Sequence, residues 1–125
     1  IMDIGKTTDN YTFYEGYEGE PEIILSIADT DILHIWDGYF DDIYDTPSLD
    51  GKGWIGFTRD YHQIEGIFAN GGCAAEINPT EYLEDLMLYK NKTFDFEETA
   101  QVFDLMVALF KKAIANGVSV KAEKH

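Results

Sequence analysis

The sequence of 125 residues predicts a single small α+β domain, in which a mostly antiparallel sheet of about four to five strands packs against about two to three helices. Three observations support this fold class. A long segment near the C-terminus has the apolar spacing of a helix, several short segments are rich in β-branched and aromatic residues, and strands do not alternate strictly with helices. Without repeats or a change in composition, residues 1–125 are predicted to form one domain, and Ile1-Met2 and Lys124-His125 are interpreted as remnants of expression.

The central element is a helix predicted over 96–116. Its apolar residues cover about 200° of the helical wheel, which is wider than the stripe of an ordinary surface helix and indicates a core helix packed on more than one side. Asp95 is predicted to cap the first turn, with Glu98 completing a reciprocal capping box. Asn116-Gly117 predicts a left-handed stop, and Val118-Ser-Val-Lys-Ala predicts the strand that follows.

The first half of the chain is expected to supply two strands and a helix. Residues 1–20 alternate aromatic and acidic residues with glycines, which predicts a strand followed by a mobile acidic loop. The branched run 22–28 favours a second strand. Apolar residues at i, i+3 and i+4 spacing predict a helix over 31–44, although Gly38 weakens that helix by about 1 kcal/mol.

The middle of the chain is expected to alternate short strands with turns before a second helix. A loop is predicted at 45–53, and the strands predicted after it cover 54–58, 64–68 and 73–77. Asn78-Pro79 combines a capping side chain with a proline suited to the first helical position. A helix is therefore predicted over 79–90.

The chain is strongly acidic, with 24 Asp and Glu against nine Lys and Arg and a net charge of −15. Residues 1–60 hold 14 of these acids against Lys6, Lys52 and Arg59. This potential repels nucleic acid and anionic membranes and attracts basic partners. The simpler interpretation is that the acids only keep the protein soluble.

The sequence contains no recognisable catalytic or cofactor motif. A glycine-rich phosphate loop, a nucleophile elbow and a metalloprotease signature are all absent. His34, His62 and Cys73 lack the spacing of zinc ligands, so no metal and no cofactor are expected, and a weak magnesium site among the acids stays open.

The lone cysteine fits a reducing compartment. With no membrane span or signal peptide in the sequence, the protein is expected to be cytoplasmic.

Between residues 50 and 122 the sequence resembles the immunity proteins of bacterial contact-dependent growth inhibition systems. The segments that carry the resemblance are Trp54-Ile-Gly-Phe, Asp60-Tyr-His, Glu81-Tyr-Leu-Glu-Asp-Leu, Phe94-Asp-Phe-Glu-Glu-Thr and Gly117-Val-Ser-Val. The resemblance implies a cytoplasmic protein without enzymatic activity. Its partner would be the basic C-terminal toxin domain of a large secreted effector, often a nuclease that cleaves tRNA, with no direct contact to nucleic acid or membrane.

The segregated charge points to the first half of the chain as the contact surface. The residues proposed for toxin binding are Glu15, Tyr17, Glu18, Glu20, Asp37, Tyr39, Asp41, Asp42 and Asp45.

A competing hypothesis is a small hydrolase, in which His34 or His62 and a neighbouring Asp form a general base. A hydrolase would enclose the histidine and the acid in a concave pocket, whereas an inhibitor would present a flat or convex acidic patch. An acidic regulatory adaptor with another partner is a third possibility.

Overall fold

The structure is a computed structural model that describes residues 8–27, 31–44 and 74–124. Its strands are β1 Thr8–Phe13, β2 Glu22–Ile27, β3 Asp31–Trp36, β4 Ala74–Ile77 and β5 Val120–Lys124. Its helices are α1 Asp37–Tyr44, α2 Pro79–Met87 and α3 Thr99–Asn116. The predicted α+β class is confirmed. The loop predicted at 45–53 and the strands at 54–58 and 64–68 lie outside the described residues.

The described strands form one mixed sheet in the order β1-β3-β2-β5-β4. The pair of β1 with β3 is parallel and the other three pairs are antiparallel. Because side chains alternate between the faces of a strand, the register places Ile23 opposite Ile35 and Leu25 opposite Leu33 on one face. These four side chains are buried in a single apolar core that also contains residues from all three helices.

The helix predicted over 31–44 is wrong in its first half, because 31–36 forms β3. This segment pairs with β1 on one side and with β2 on the other, so it lies inside the sheet. Its run of branched and aromatic residues suits a strand buried on both sides, and such a short apolar run fits either periodicity. The helix begins only at Asp37, whose amide donates to the Pro21 carbonyl at 3.0 Å.

The predicted start of α2 is confirmed. The Asn78 side chain accepts hydrogen bonds from the amides of Thr80 at 2.9 Å and Glu81 at 3.4 Å, with Pro79 in the first turn. The helix ends at Met87, three residues earlier than predicted, and turns follow it.

The central helix is confirmed as α3, with a buried face made by Val102, Phe103, Met106, Leu109, Phe110 and Ala113. Its end is also as predicted, because Gly117 adopts the left-handed φ of 66°. Ile114, which was expected on the apolar face, is 40% exposed.

The predicted capping of α3 is wrong. Glu98 occupies the N-cap position and makes no capping hydrogen bond with its side chain. The carboxylate of Asp42, from α1, instead binds the segment just before the helix: it accepts from the amides of Asp95 and Phe96, both at 2.9 Å, and from the hydroxyl of Thr99, the first helical residue, at 2.6 Å. A residue more than fifty positions away therefore holds the segment that leads into the central helix.

Candidate functional site

Five aromatic side chains meet where β1, β3, α1 and the segment before α3 come together. We call this group the aromatic cluster; its members are Phe13, Tyr17, Trp36, Tyr39 and Phe96. Tyr17 stacks on Trp36, with ring centroids 4.0 Å apart and planes within 5° of parallel. Tyr39 makes edge contacts with all four other rings, at centroid distances from 5.1 to 6.4 Å.

The aromatic cluster has a buried floor and an exposed rim. Tyr39 is only 4% exposed and Phe13 is also buried, so these two rings form the floor. Tyr17 and Trp36 are half-buried, and Phe96 is 41% exposed. Packing against the floor restricts the rotamers of the rim residues, so the exposed aromatic area is held in one arrangement.

The rim depends on a close approach between Trp36 and the backbone of α1. A side-chain carbon placed on Gly38 would lie 2.3 Å from the Cη2 atom of the indole ring. Glycine is therefore the residue that lets the indole lie against the helix at this point. On its other side the Trp36 Nε1–H donates to the Glu20 carboxylate at 3.2 Å.

The acidic loop predicted after β1 folds into hydrogen-bonded turns. The Gly16 amide donates to the Glu18 carboxylate at 2.7 Å, and the Tyr14 hydroxyl donates to the Glu20 carbonyl at 2.6 Å. Gly16 and Gly19 have φ values of 92° and 94°, which glycine adopts without strain. These turns carry Tyr17 onto the aromatic cluster and leave the carboxylates around it.

Exposed acidic side chains lie on two of the three segments that supply the rim. Glu15, Glu18 and Glu20 are exposed on the turns after β1, and Glu97 and Glu98 are exposed beside Phe96. The sequence from residue 8 to residue 44 contains no Lys or Arg. We call the whole set the acidic-aromatic surface, and it consists of Glu15, Tyr17, Glu18, Glu20, Trp36, Phe96, Glu97 and Glu98.

The hydroxyl groups of Tyr17 and Tyr39 lie 3.4 Å apart at one side of the aromatic cluster. The pKa of Tyr39 is raised well above its ordinary value, mainly because burial disfavours the phenolate. Three smaller effects raise this pKa further: the hydrogen bond with Tyr17, the charge interaction with Tyr17 and the negative charge of Glu98.

Asp42 lies in the interior, where it is only 5% exposed. Burial raises its pKa, but the hydrogen bonds from Asp95, Thr99 and Phe96, together with the positive charge of Lys92, outweigh burial, so its pKa is lower than usual. Lys92 Nζ also donates to the Asp42 carbonyl at 2.7 Å. Asp42 thus joins α1 to the segment that presents Phe96.

The structure brings together only part of the contact surface predicted from sequence. Glu15, Tyr17, Glu18 and Glu20 lie together at the aromatic cluster. Two expectations are corrected: Tyr39 is the floor of the cluster, and Asp42 is an internal hydrogen-bond acceptor. Asp37 is half-buried and Asp41 is exposed on α1, while Asp45 lies outside the described residues.

Sequence reasoning did not select Trp36, Phe96, Glu97 or Glu98 for this surface. The apolar spacing behind the helix predicted over 31–44 includes Trp36 on its inner face, and the helix predicted over 96–116 places Phe96, Glu97 and Glu98 in its first turn. A signal was present in the sequence, because an aromatic residue directly followed by two acids breaks the apolar pattern just before that helix begins.

The histidine required by the hydrolase hypothesis forms a buried pair. His34 Nδ1 lies 2.5 Å from Glu22 Oε2, on the sheet face opposite the apolar core, and His34 is 6% exposed. Neither residue lines the cavity of about 180 Å³ between β3 and α3, nor the open groove of about 440 Å³ beside the start of α2. Among the described residues, the pair therefore contacts neither of these two spaces. His62 lies outside the described residues.

Comparison with known proteins finds no match to a family model, a curated protein or a solved structure. Within 8–27, 31–44 and 74–124, no three His, Cys, Asp or Glu side chains are arranged to hold a metal ion. In those same ranges, no helix has both the length and the apolar character needed to cross a membrane. The packed aromatic rim and the exposed carboxylates on its segments make the acidic-aromatic surface the candidate functional site.

Proposed function

We propose that this chain is an immunity protein that binds and neutralises a basic toxin domain through its acidic-aromatic surface. The observation that carries the proposal is the exposed aromatic rim of Tyr17, Trp36 and Phe96, held in place by packing and with exposed carboxylates on its segments. The sequence resemblance to contact-dependent growth inhibition immunity proteins suggests the partner: the C-terminal nuclease domain of a secreted effector. Such an inhibitor acts in the cytoplasm, where the toxin meets its substrate.

The two components of the surface have different physical roles in this proposal. Exposed carboxylates steer a cationic partner and raise its association rate, by a factor of roughly 10 to 10³ at low salt. Rigid Tyr and Trp side chains provide buried contact area at a small cost in conformational entropy, and they are enriched among residues that dominate binding energy. Charge therefore sets mainly the association rate, and the aromatic rim sets mainly the dissociation rate.

The test uses the domain encoded directly upstream of this chain, if it is a basic nuclease-like domain. We expect that domain to stop bacterial growth when expressed alone and to be neutralised when this chain is expressed with it. Purified, the two proteins should form a complex whose affinity falls steeply as salt is raised. Growth arrest that this chain does not relieve, together with no binding by calorimetry, would refute the proposal. Binding to a partner without toxic activity would indicate the regulatory adaptor instead.

Charge reversal tests whether binding depends on the acidic-aromatic surface or only on the net negative charge of the whole protein. Glu15→Lys with Glu97→Lys changes two exposed acids of the acidic-aromatic surface. Glu84→Lys with Asp104→Lys makes the same change in charge on exposed positions of α2 and α3. We expect the first pair to slow association by at least about tenfold at low salt, and the control pair to have a much smaller effect. Equal effects would remove this surface from consideration.

A further inference from the structure

A mainly apolar cavity of about 180 Å³ lies between the first residues of β3 and one face of α3. Four lining residues share that helix face, because they have i, i+3, i+4 and i+7 spacing: Leu105, Ala108, Leu109 and Lys112. Leu33 and Leu109 are buried at the cavity, whereas Ala108 and Lys112 are exposed, so solvent reaches it along this side of α3. None of these residues belongs to the acidic-aromatic surface.

An ion pair joins the two walls of the cavity. Lys112 Nζ lies 2.7 Å from Asp31 Oδ2, and both residues contribute to the lining. The Asp31 side chain is 17% exposed, and its backbone is fixed in β3 by pairing with β1 and β2. The Lys112 side chain is 53% exposed, and its ammonium is carried by a flexible four-carbon stem. The carboxylate is therefore the fixed member of the pair, and the ammonium is free to move into water.

We infer that this cavity binds a small primary amine with one aromatic ring, whose ammonium group takes the place of Lys112 at the Asp31 carboxylate. The volume sets the size of the ligand: an apolar cavity of about 150 Å³ admits benzene, so this cavity holds a single ring with a short stem. Burial of the ring supplies most of the affinity. The inferred site goes beyond the proposed function and stands whether or not a toxin domain binds.

The positive charge of the ligand follows from the two charged groups at the cavity. A ligand ammonium keeps a cation beside the largely buried Asp31 carboxylate, while Lys112 returns to water, where an ammonium is strongly hydrated. A ligand carboxylate would instead place a second negative charge beside Asp31, in a protein whose net charge is −15. An uncharged ring would gain only the burial of its surface.

A titration with three ring compounds of nearly the same size tests this order of affinity. Benzylamine, which is a cation at neutral pH, benzyl alcohol and benzoate are each added to the full chain at constant ionic strength. The methyl resonances of Leu33, Leu105 and Leu109 are followed by NMR. We expect benzylammonium to bind with a dissociation constant on the order of 1 mM, benzyl alcohol to bind about threefold more weakly, and benzoate to bind more weakly still. Benzyl alcohol that binds as tightly as benzylammonium, or unshifted leucine resonances, would overturn the inference.

Two adjacent lysines of α3 provide a matched pair of variants. Lys112→Gln removes the cation that competes for Asp31, whereas Lys111→Gln removes the same charge from an exposed position outside the cavity lining. We expect Lys112→Gln to strengthen benzylammonium binding by about threefold, and Lys111→Gln to strengthen it by less than about 1.5-fold. Equal effects of the two substitutions, or weaker binding of benzylammonium to Lys112→Gln, would contradict the replacement of Lys112 by the ligand.

Two exposed alanines of α3 test where the ring binds. Ala108→Phe adds a ring at the opening of the cavity, and Ala115→Phe makes the same change at an exposed position outside its lining. We expect Ala108→Phe to weaken the binding of benzylammonium and benzyl alcohol by at least about tenfold, because the cavity cannot hold two rings. Ala115→Phe should change both affinities by less than about twofold. Since both positions are exposed, both variants should fold, which circular dichroism checks. Unchanged binding to Ala108→Phe would refute the site.

Discussion

Replacing Asp42 by asparagine tests whether α1 holds the segment that leads into the central helix. Asparagine has nearly the same shape but keeps only one acceptor oxygen. With that oxygen in the place of Oδ2, the bonds from the Phe96 amide and the Thr99 hydroxyl remain but lose the negative charge, and the Asp95 amide faces an NH2 group. At about 1.5 kcal/mol for a bond to a charged group and about half of that for a neutral one, the lost bond and the two weakened bonds should together lower the free energy of unfolding by about 3 kcal/mol. That is a large share of the roughly 5–15 kcal/mol that stabilises a domain.

Urea denaturation followed by circular dichroism measures this loss. With a slope of about 2 kcal/mol per M for a domain of this size, the midpoint should fall by about 1.5 M. Asp41→Asn is the matched control, because it makes the same change at the neighbouring exposed position of α1. We expect the control to stay within about 0.5 kcal/mol of the unmodified protein.

The stability that the Asp42 carboxylate contributes should also change with pH in a definite direction. Because the pKa of Asp42 is lower in the folded protein than its ordinary value, the carboxylate contributes its full stability at a pH above the unfolded pKa of about 3.9. That contribution is lost as the pH falls through the lower, folded pKa. The stability difference between the unmodified protein and Asp42→Asn should therefore be constant near neutral pH and shrink in acid. A difference below about 0.5 kcal/mol at pH 7, or one that does not shrink in acid, would refute the assignment.

Three further substitutions test local features. Gly38→Ala should push the Trp36 indole off α1 and lower the free energy of unfolding by about 1–3 kcal/mol. NMR should show a shifted indole N–H resonance, and an unchanged resonance would contradict the close approach. Asn78→Ala should cost about 1 kcal/mol in urea denaturation, because the amides of Thr80 and Glu81 lose their acceptor; no loss would mean that water replaces the cap. Gly117→Ala should cost about 1 kcal/mol because its φ is 66°, and a stabilised variant would show that the left-handed turn is not needed.

The sequence alone determined the elements whose signals are local. Asn78-Pro79 specified the start of α2, because the cap and its amides lie within three residues of each other. Gly117 specified the end of α3 for a similar reason, since the left-handed turn needs a residue without a side chain. The broad apolar face of α3 predicted a core helix, and its burial confirms this. The acidic, aromatic character of the turns after β1 was also visible in sequence.

Tertiary structure decided what depends on partners distant in the chain. Residues 31–36 became a strand because β1 and β2 lie on either side, and no pattern within the segment contains that information. Asp42 was expected at the surface, but the unpaired amides before α3 supply a buried position where its charge is stabilised by three donors. That interaction holds the segment in which Phe96 packs against Trp36. Sequence thus determined the composition of the surface, while contacts between distant segments determined which of its residues face outward, because burial and hydrogen bonding are properties of the assembled fold.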